Sequence, residues 1–393
     1  MYTETIPFDG KLPVMMNVYS IEEYTLHCHE DAIEIIFVLQ GTVKVKVSFE
    51  YFTLGEGDYV VVNREDSHKI WHYGEVDNIV AIFHISLEHY RSYFPYINYV
   101  LFACESFDLA KYKGQTAQFR QLLLNLTDSL RGGDGTGGTA EYISARLMHL
   151  LVNEYSLVQY YNRSQNIAPD KLETYYMIIK YINEKYHNKT ILQDISHNEF
   201  YSKSYISHLF KEVGGASFQD ILGYIRVYKA ERLLLETDYS ITMISEQCGF
   251  SDIRYFNRTF KKWFLTKPSD YRKRYQNQVG KDCKVTKVAD NKVAERIRHY
   301  KNLAEDNTEY KVSMTPITLK NIGSKTDLLN YLNQDKTLAG SEEDASQGRS
   351  ENIYAVIRIG NNCSSEHAKK LLEEHLRDFQ SKVTNDIECW FIN

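Results

Sequence analysis

The sequence predicts a multidomain α+β protein: a β domain with a helical hairpin, an all-α domain made of a duplicated helix-turn-helix, and a small α/β C-terminal extension. Three observations support this prediction. Residues 1–105 alternate apolar and polar positions in short runs. After residue 105 the apolar residues recur at helical spacing, and a pair of short amphipathic helices then occurs twice. The length of 393 residues allows two or three domains.

The β domain is predicted from strands at Ile33–Leu39, Val43–Val47, Tyr59–Val62 and Ile79–Ile85. Glycine-containing turns separate them, such as Gly55-Glu56-Gly57. Short strands with a turn every ~8–12 residues are typical of a β-sandwich or a β-barrel.

Residues 106–165 are predicted to form a helical hairpin. Gln115–Leu130 and Ala140–Tyr161 carry Leu and Ile at helical spacing, and the glycine-rich Gly132–Gly138 joins them. The hairpin can cover the open side of the β domain or form a dimer interface, and the two roles are compatible. Polar residues 162–170, which include Pro169, are the predicted interdomain linker.

Two copies of a two-helix unit follow. In the first copy a helix ends near His197, and Ser202 caps a second helix that ends at Gly214. In the second copy Ile241–Phe250 precedes a capped helix that begins near Ser251. Between the copies, residues 217–236 predict a helix about 30 Å long that Ser217 caps at its start. Successive major grooves on one face of B-DNA lie roughly 34 Å apart, so this spacer suits two helices in adjacent grooves.

The charge distribution agrees with a nucleic-acid role for one part of the chain. The whole chain carries a net charge of −6. Residues 170–276 contain 17 Lys and Arg against 13 Asp and Glu, whereas residues 1–169 contain 12 against 21. A basic segment beside an acidic one indicates one domain that binds a polyanion and another that does not.

Residues 171–276 resemble the DNA-binding domain of AraC/XylS-type transcriptional regulators. The resemblance is carried by SKSYISHLFKEVGGASFQDILGYIRVYKAERLLLETDYSITMISEQCGF and by SDIRYFNRTFKKWFLTKPSDYR. It implies a dimeric regulator, most often an activator, whose partners are double-stranded DNA, RNA polymerase and a small-molecule effector.

The candidate DNA contacts are the polar side chains on the outer face of each second helix. Arg can bind guanine through two hydrogen bonds and Asn can bind adenine, so the predicted base contacts are Arg254, Asn257 and Arg258. Lys261 and Lys262 are assigned to phosphate. In the first copy the corresponding outward residues carry less charge and are expected to discriminate less; they are Lys203, Ser204, Ser207, His208 and Lys211.

The N-terminal domain resembles the cupin barrel. His27, His29 and Glu34, followed by Gly41, match its first motif, and His68 follows Gly57 as in its second. The resemblance implies either a metal-ligand set or polar groups that line an effector pocket. The pocket interpretation is adopted, with no metal and no cofactor, because Asn63 and Glu65 replace the proline and glycine of the second motif. Tyr24 and Trp71 add aromatic faces that suit a sugar.

The resulting hypothesis is a non-enzymatic, DNA-binding transcriptional regulator, an activator of carbohydrate-utilisation genes that responds to a sugar-like effector. The alternative is a metal-dependent cupin enzyme with a helical appendage. The six cysteines form no C-x-x-C pair, which predicts neither a zinc framework nor a disulfide scaffold. The sequence lacks a signal-peptide pattern and an apolar run long enough for a membrane span, which predicts a cytoplasmic protein.

The last part of the chain is predicted as a linker at 277–310 and an accessory or remnant module at 311–393. Ile353–Ile359 predicts a strand, His367–Val383 a helix and Cys389–Ile392 a final strand. The stretches Ile317–Leu329 and Trp390-Phe391 resemble pieces of a β-xylosidase-type glycoside hydrolase domain. The segment is too short, however, for a catalytic barrel of about 250 residues.

Overall fold

The computed structural model describes residues 2–8, 10, 12–103, 106, 109–132, 137–162, 167–198, 201–303, 312–319 and 352–359. The predicted helix at 367–383 and the predicted strand at 389–392 lie outside these residues.

Short strands build the N-terminal domain, as the alternating pattern predicts. They are β1 (Tyr2–Thr3), β2 (Val14–Cys28), β3 (Ala32–Gln40), β4 (Val43–Val47), β5 (Glu50–Leu54), β6 (Tyr59–Val62), β7 (His68–His72) and β8 (Ile79–Ser86). The hydrogen-bonded order through these strands is β5-β4-β7-β2-β8-β3-β6, and β1 pairs with β2. The long strand β2 therefore lies in the middle of this order and pairs with β1, β7 and β8.

Successive residues of β3 point to opposite sides of the sheet. Ile36 and Val38 are completely buried inside the barrel, together with residues of β4, β6, β7 and β8. Ile35 and Phe37 are equally buried but face a second core, which the helices complete. Both faces of β3 are thus apolar, and this explains its nearly continuous run of hydrophobic residues.

Four helices follow the strands: α1 (Leu87–Tyr90), α2 (Leu109–Gly132), α3 (Gly137–Leu150) and α4 (Leu157–Asn162). The predicted hairpin covers the outer face of the barrel, and the Phe119 ring stacks on Tyr59 at a centroid distance of 4.7 Å. The predicted single helix over 140–161 is wrong in one respect. Leu151–Tyr155 forms a π-helical turn and Ser156 is extended, so the α-helix is interrupted there. The role of the hairpin as a dimer interface stays a prediction.

The described residues of the all-α domain form seven helices, in agreement with the predicted duplication. They are α5 (Pro169–Lys185), α6 (Ile191–Asn198), α7 (Lys203–Gly214), α8 (Phe218–Glu236), α9 (Ile241–Gln247), α10 (Ile253–Phe264) and α11 (Pro268–Tyr275). The predicted caps are confirmed for α7 and α8: Ser202 Oγ accepts from the Tyr205 amide and Ser217 Oγ from the Asp220 amide, each at 3.1 Å.

A close backbone contact joins the two copies of the helix pair. Gly249, which ends the second copy's first helix, has a φ of +76°, and a Cβ there would lie 2.5 Å from the carbonyl oxygen of His187. Arg226 of α8 donates to the carbonyls of Tyr186 and Asn188, both at 2.8 Å. The end of α5 is therefore held against the second copy, so the two copies form one packed unit.

Residues 277–310 were predicted as a linker, and this prediction is wrong. They contain β9 (Lys284–Lys287), which pairs antiparallel with Tyr19–Ile21 of β2, and α12 (Asp290–Leu303). Val293 and Ile297 lie four residues apart on one face of α12, and both are buried in the core shared by the barrel and hairpin. Two apolar residues in a polar segment are a weak pattern, but i, i+4 spacing is sufficient to dock a helix.

The all-α domain is therefore an insertion between two parts of the N-terminal domain. After β9 and α12, β10 (Val312–Leu319) pairs antiparallel with β11 (Asn352–Ile359), and β10 extends the sheet beyond β5. The predicted strand at 353–359 is confirmed. Among the described residues, no helix is long and apolar enough to cross a membrane.

Candidate nucleic-acid interface and buried histidine cluster

Helix α10 separates an aromatic face from a basic face, as its sequence predicts. The Asp252 carboxylate accepts from the Tyr255 amide at 2.9 Å and begins the helix. Phe256 and Phe260 are fully buried in the core of the second copy. The opposite face exposes the predicted contact residues Arg254, Arg258, Lys261 and Lys262, whereas Asn257 is half-buried.

Two of these side chains have neighbours within the domain. The Arg258 guanidinium lies 5.5 Å from the centre of the Tyr255 ring, which limits its freedom without covering it. Lys262 forms an ion pair at 2.7 Å with Asp220 of α8. Lys262 therefore contributes less net charge to this face than its sequence position indicates.

Helix α7 presents the corresponding face of the first copy. All its predicted contact residues are exposed; they are Lys203, Ser204, Ser207, His208 and Lys211. Sequence reasoning missed Tyr205, which is 36% exposed and whose ring stacks on Tyr201 at 5.1 Å. The alignment of the two copies could have indicated this residue, because it pairs Tyr205 with the half-buried Tyr255. The aromatic ring is retained, but here it faces solvent beside the polar contact residues.

Helix α8 sets the separation of these two faces. Its 19 residues correspond to about 28 Å of helix. Leu222 and Ile225 pack into the core of the first copy, and Val227 and Leu234 into the core of the second. One helix therefore belongs to both copies and fixes their spacing.

A cluster of histidines surrounds Glu34 inside the barrel. Glu34 Oε2 lies 2.9 Å from His29 Nε2 and 4.0 Å from His27 Nε2, and Glu34 Oε1 lies 3.2 Å from His68 Nε2. All four side chains are at most 2% exposed. The structure thus brings together the four residues that the two sequence motifs pair, from β2, from the turn after it, from β3 and from β7.

Two family models match the chain: a cupin domain over residues 15–84 and a helix-turn-helix domain over residues 195–274. The HTH-type transcriptional regulator YijO of Escherichia coli (strain K12) is 33% identical over 99 residues, which are 25% of this chain and 35% of that protein. The lactose operon transcription activator of Staphylococcus xylosus is 28% identical over 153 residues, 39% of this chain and 53% of that protein.

The chain belongs to the AraC-type helix-turn-helix transcriptional regulators with an N-terminal cupin domain. It spans between about a third and about half of the length of those two relatives. Both are regulators of transcription rather than enzymes. Among solved structures, ToxT from Vibrio cholerae O395 is 14% identical with a TM-score of 0.37, over 68% of this chain and 99% of that one.

The cupin domain of this regulator also contains two cluster residues that sequence reasoning missed. His84 on β8 places its Nε2 2.9 Å from Glu34 Oε2 and 3.3 Å from His29 Nε2. The alternation of side chains along β3 and β8 is the sequence feature that indicates His84. His84 pairs with Glu34 in the β3–β8 register, so both side chains face the same side of the sheet. Glu4 accepts from the Tyr24 hydroxyl at 3.0 Å and lies 3.7 Å from His27 Nε2. No sequence pattern links an N-terminal residue to this site.

The aromatic residues assigned to the effector pocket separate in the structure. Tyr24 stacks on the His27 ring at 4.6 Å and belongs to the site. Trp71 is three residues from His68 along β7 and therefore lies on the opposite face of the strand. Its ring contacts Tyr51 and lies near the Lys69 ammonium. The structure does not bring Trp71 to the histidine cluster.

Burial and charge decide which cluster groups are ionised. Burial opposes the charge on Glu34, but the attraction of His68 and the contacts of the histidines outweigh it and hold its pKa well below the usual value. Burial likewise opposes the charge on His68, yet Glu34 raises the pKa of that imidazole. Burial and then the nearby His68 hold the pKa of His27 well below its usual value. These directions favour the charged forms of Glu34 and His68 and the neutral form of His27.

The donor set fits a divalent metal ion. His27, His29 and His68 each direct Nδ1 at a backbone carbonyl, those of Thr25, Glu4 and Asp66, at 2.7, 3.2 and 3.0 Å. Such outer contacts orient metal-ligating histidines and leave Nε2 for the ion. Within the described residues His27 Nε2 lacks a hydrogen bond, and the four ligand atoms lie within 4.8 Å of one another. A bound ion would act as a Lewis acid toward an oxygen ligand.

Proposed function

We propose that this regulator binds duplex DNA through α7 and α10 and that its cupin domain binds a small effector. The observation that supports the proposal most directly is the pair of exposed polar helix faces on a shared spacer helix. The surface of α10 carries Arg254, Arg258 and Lys261, whose side chains are exposed. A helix of this kind fits the major groove of B-DNA.

The two copies are expected to play unequal parts in recognition. Arg254, Asn257 and Arg258 are proposed to contact bases, and Lys261 and Lys262 to contact phosphate. The α7 face has Ser and His where α10 has Arg and Asn. Its smaller charge predicts weaker, less sequence-dependent contacts, so α10 supplies most of the discrimination.

The proposed effector is a small sugar-like molecule, and the proposed outcome is activation of carbohydrate-utilisation genes. The lactose operon transcription activator of Staphylococcus xylosus supports this proposal, since a relative with that name is similar over 153 residues. The proposed assembly is a homodimer that works with RNA polymerase in the cytoplasm. The hairpin α2–α3 is the proposed dimer contact, and sedimentation of the purified chain tests it.

DNA binding is tested by selection from a random duplex pool, followed by titration of the enriched duplex and a shuffled one. We expect the wild-type chain to prefer the enriched duplex by at least about a thousandfold. Arg258→Ala is expected to weaken binding to that duplex by about 1–3 kcal/mol and to relax the preference at one base pair. Equal affinity of the wild-type chain for both duplexes would refute the proposal.

A second pair of variants separates base contacts from phosphate contacts. Lys261→Ala is expected to weaken binding to both duplexes alike and to reduce the salt dependence by about one ion. The matched control is Arg91→Ala, which removes an exposed Arg just after α1, outside both the all-α domain and the hairpin. Arg91→Ala is expected to leave both affinities unchanged.

Effector binding is tested on the full chain by thermal unfolding in the presence of lactose, xylose, arabinose and glucose. A sugar at about a hundredfold its dissociation constant stabilises the domain by about 2.7 kcal/mol. We expect one sugar to raise the transition temperature of the wild-type chain, and His29→Ala to remove that shift. No shift with any of the four sugars would count against this class of effector.

A further inference from the structure

A buried polar cluster joins the cupin domain to the helical domain. It consists of Lys46 on β4, Ser67 just before β7, Glu231 on α8 and Tyr271 on α11, and we call these four side chains the interdomain cluster. None is more than 2% exposed. Neither the metal-ligand set nor the two DNA-facing helices includes any of them.

The four side chains converge on one carboxylate. Ser67 Oγ and the Tyr271 hydroxyl both donate to Glu231 Oε1. Lys46 Nζ donates to the Tyr271 hydroxyl at 3.0 Å and lies 3.9 Å from Glu231 Oε1. Each domain contributes one charged and one hydroxyl group, so neither domain can satisfy the cluster alone.

Burial makes this contact sensitive to small displacements. A buried ion pair contributes little net stability, but separating its partners without hydration leaves an unpaired charge in an apolar surrounding. Leu26 and Phe49 of the cupin domain pack into the apolar core around the cluster. A displacement that separates these groups without admitting water is therefore costly.

One end of the cluster is linked directly to the histidine site. Ser67 and His68 are adjacent, and their side chains point in different directions, to Glu231 and to Glu34 respectively. Asp66 strengthens the link, because its carbonyl faces His68 Nδ1 at 3.0 Å and its carboxylate accepts from Ser48 at 3.1 Å. A shift of His68 therefore moves the backbone that holds Ser67.

The other end is linked to the DNA-facing helices. Glu231 lies on α8, the helix that belongs to both copies of the helix pair. Asp220 on the same helix pairs with Lys262 of α10. Tyr271 lies on α11, which directly follows α10 and packs on Phe260 and Phe264 with ring centroids at 5.7 and 5.2 Å. A displacement of the cluster residues can therefore be transmitted to α10 both through α8 and through α11.

We propose that the interdomain cluster transmits the state of the histidine site to the orientation of the helical domain, and hence of α7 and α10 together, with Ser67 and Glu231 as the positioning residues. This inference rests on the proposed DNA-binding function. It assigns a role to the cupin–helix contact that is separate from ligand binding and from base recognition.

A double-mutant cycle tests the proposal without knowledge of the effector. His68→Gln perturbs the histidine site, Glu231→Gln perturbs the cluster, and the readout is affinity for the selected duplex. We expect the two changes to be non-additive by at least fivefold, because Glu231→Gln disconnects the helices from His68. The matched control is Glu212→Gln, an exposed partner of Lys171 at the far end of α7. It is expected to combine additively with His68→Gln, and additivity of both pairs within twofold would overturn the proposal.

Hydrogen exchange gives a readout that does not depend on DNA. His68→Gln is expected to speed amide exchange in α8 and α11 by at least threefold, with α5 as the internal reference. The same substitution in a Glu231→Gln background is expected to add less than 1.5-fold in those helices. If exchange responds in this way but no duplex is preferred, the proposed DNA binding fails and the coupling stands. If His68→Gln leaves the amide exchange rates of α8 and α11 unchanged, the proposed coupling is refuted.

Discussion

Ile297→Ala tests whether residues 277–303 belong to the cupin domain. Ile297 is 1% exposed and lies in the core formed by the barrel and its hairpin. The substitution removes three carbon groups at about 0.8 kcal/mol each, and the remaining cavity adds to this transfer cost. We expect a loss of about 2–5 kcal/mol from the free energy of unfolding. If the segment were a solvated linker, the loss would be below about 0.5 kcal/mol.

Calorimetry and urea unfolding of the full chain measure this loss, and hydrogen exchange locates it. Faster exchange is expected in α2 and β3, which contact α12, rather than in α9 or α10. Glu295→Ala is the matched control, since Glu295 is exposed on the same helix and the substitution to Ala preserves helix propensity. Equal stability of the two variants would refute the assignment of α12 to the cupin core. A loss confined to α5–α11 would refute it as well.

Three further predictions concern other parts of the molecule. Gly249→Ala places a Cβ against the carbonyl of His187 at a φ of +76° and should cost more than about 1 kcal/mol, measured by urea unfolding. Burial raises the pKa of Glu231 above its ordinary value of 4.5 despite the nearby Lys46, so the folded state binds this proton more tightly. Its contribution to stability is therefore full below pH 4.5 and is lost as pH rises through the raised pKa. The stability of wild type minus that of Glu231→Gln should fall over this range in pH-dependent unfolding. Zinc added to chelator-treated protein should raise the melting temperature of the wild-type chain but not of His27→Ala, and equal shifts would exclude the histidine site.

The order of the β domain and the helical domain was predictable because each domain repeats a characteristic sequence pattern. In the β domain the alternation recurs strand after strand, and in the helical domain the two copies support each other. Ser202 and Ser217 were predicted as caps and fill that role, because a cap depends on residues within one turn. Local patterns of this kind can be recognised in the sequence because they do not depend on tertiary contacts.

The histidine site was only partly predictable, for a related reason. His27, His29 and Glu34 lie within eight residues of one another, so a motif can contain them. His84 and Glu4 reach the site through strand pairing and through the path of the N-terminal segment. Trp71 was misplaced because proximity along a strand says little about which face a side chain occupies.

Residues 277–303 were the largest difference between sequence and structure. Their composition is polar, and only a few apolar side chains reveal the docking surface of α12. The tertiary partners of that surface lie more than 150 residues earlier, on α2 and β3. Local propensity cannot detect a contact whose other half is that distant, so the segment resembled a linker.

Residues 277–303, which lead the chain back to the cupin domain, also limit how the two domains can move relative to each other. Leu26 on β2 forms a backbone bridge with Val279, directly after α11, and the Thr25 hydroxyl donates to the Lys281 carbonyl at 2.9 Å. The helical domain is thereby anchored to β2 at its C-terminal end, within a few residues of His27. An anchored domain that opens at the interdomain cluster stays close to its partner surface, so closure is an intramolecular step at high effective concentration. A ligand at the histidine site that binds the closed arrangement more tightly than an open one would shift the equilibrium by that difference in binding free energy. The anchor should make this shift reversible and independent of protein concentration. Thr286 lies opposite Ser20 at a hydrogen-bonded position of the β2–β9 pair. Thr286→Pro, which removes that ladder amide, is therefore expected to make α8 and α11 exchange faster even when the histidine site is intact.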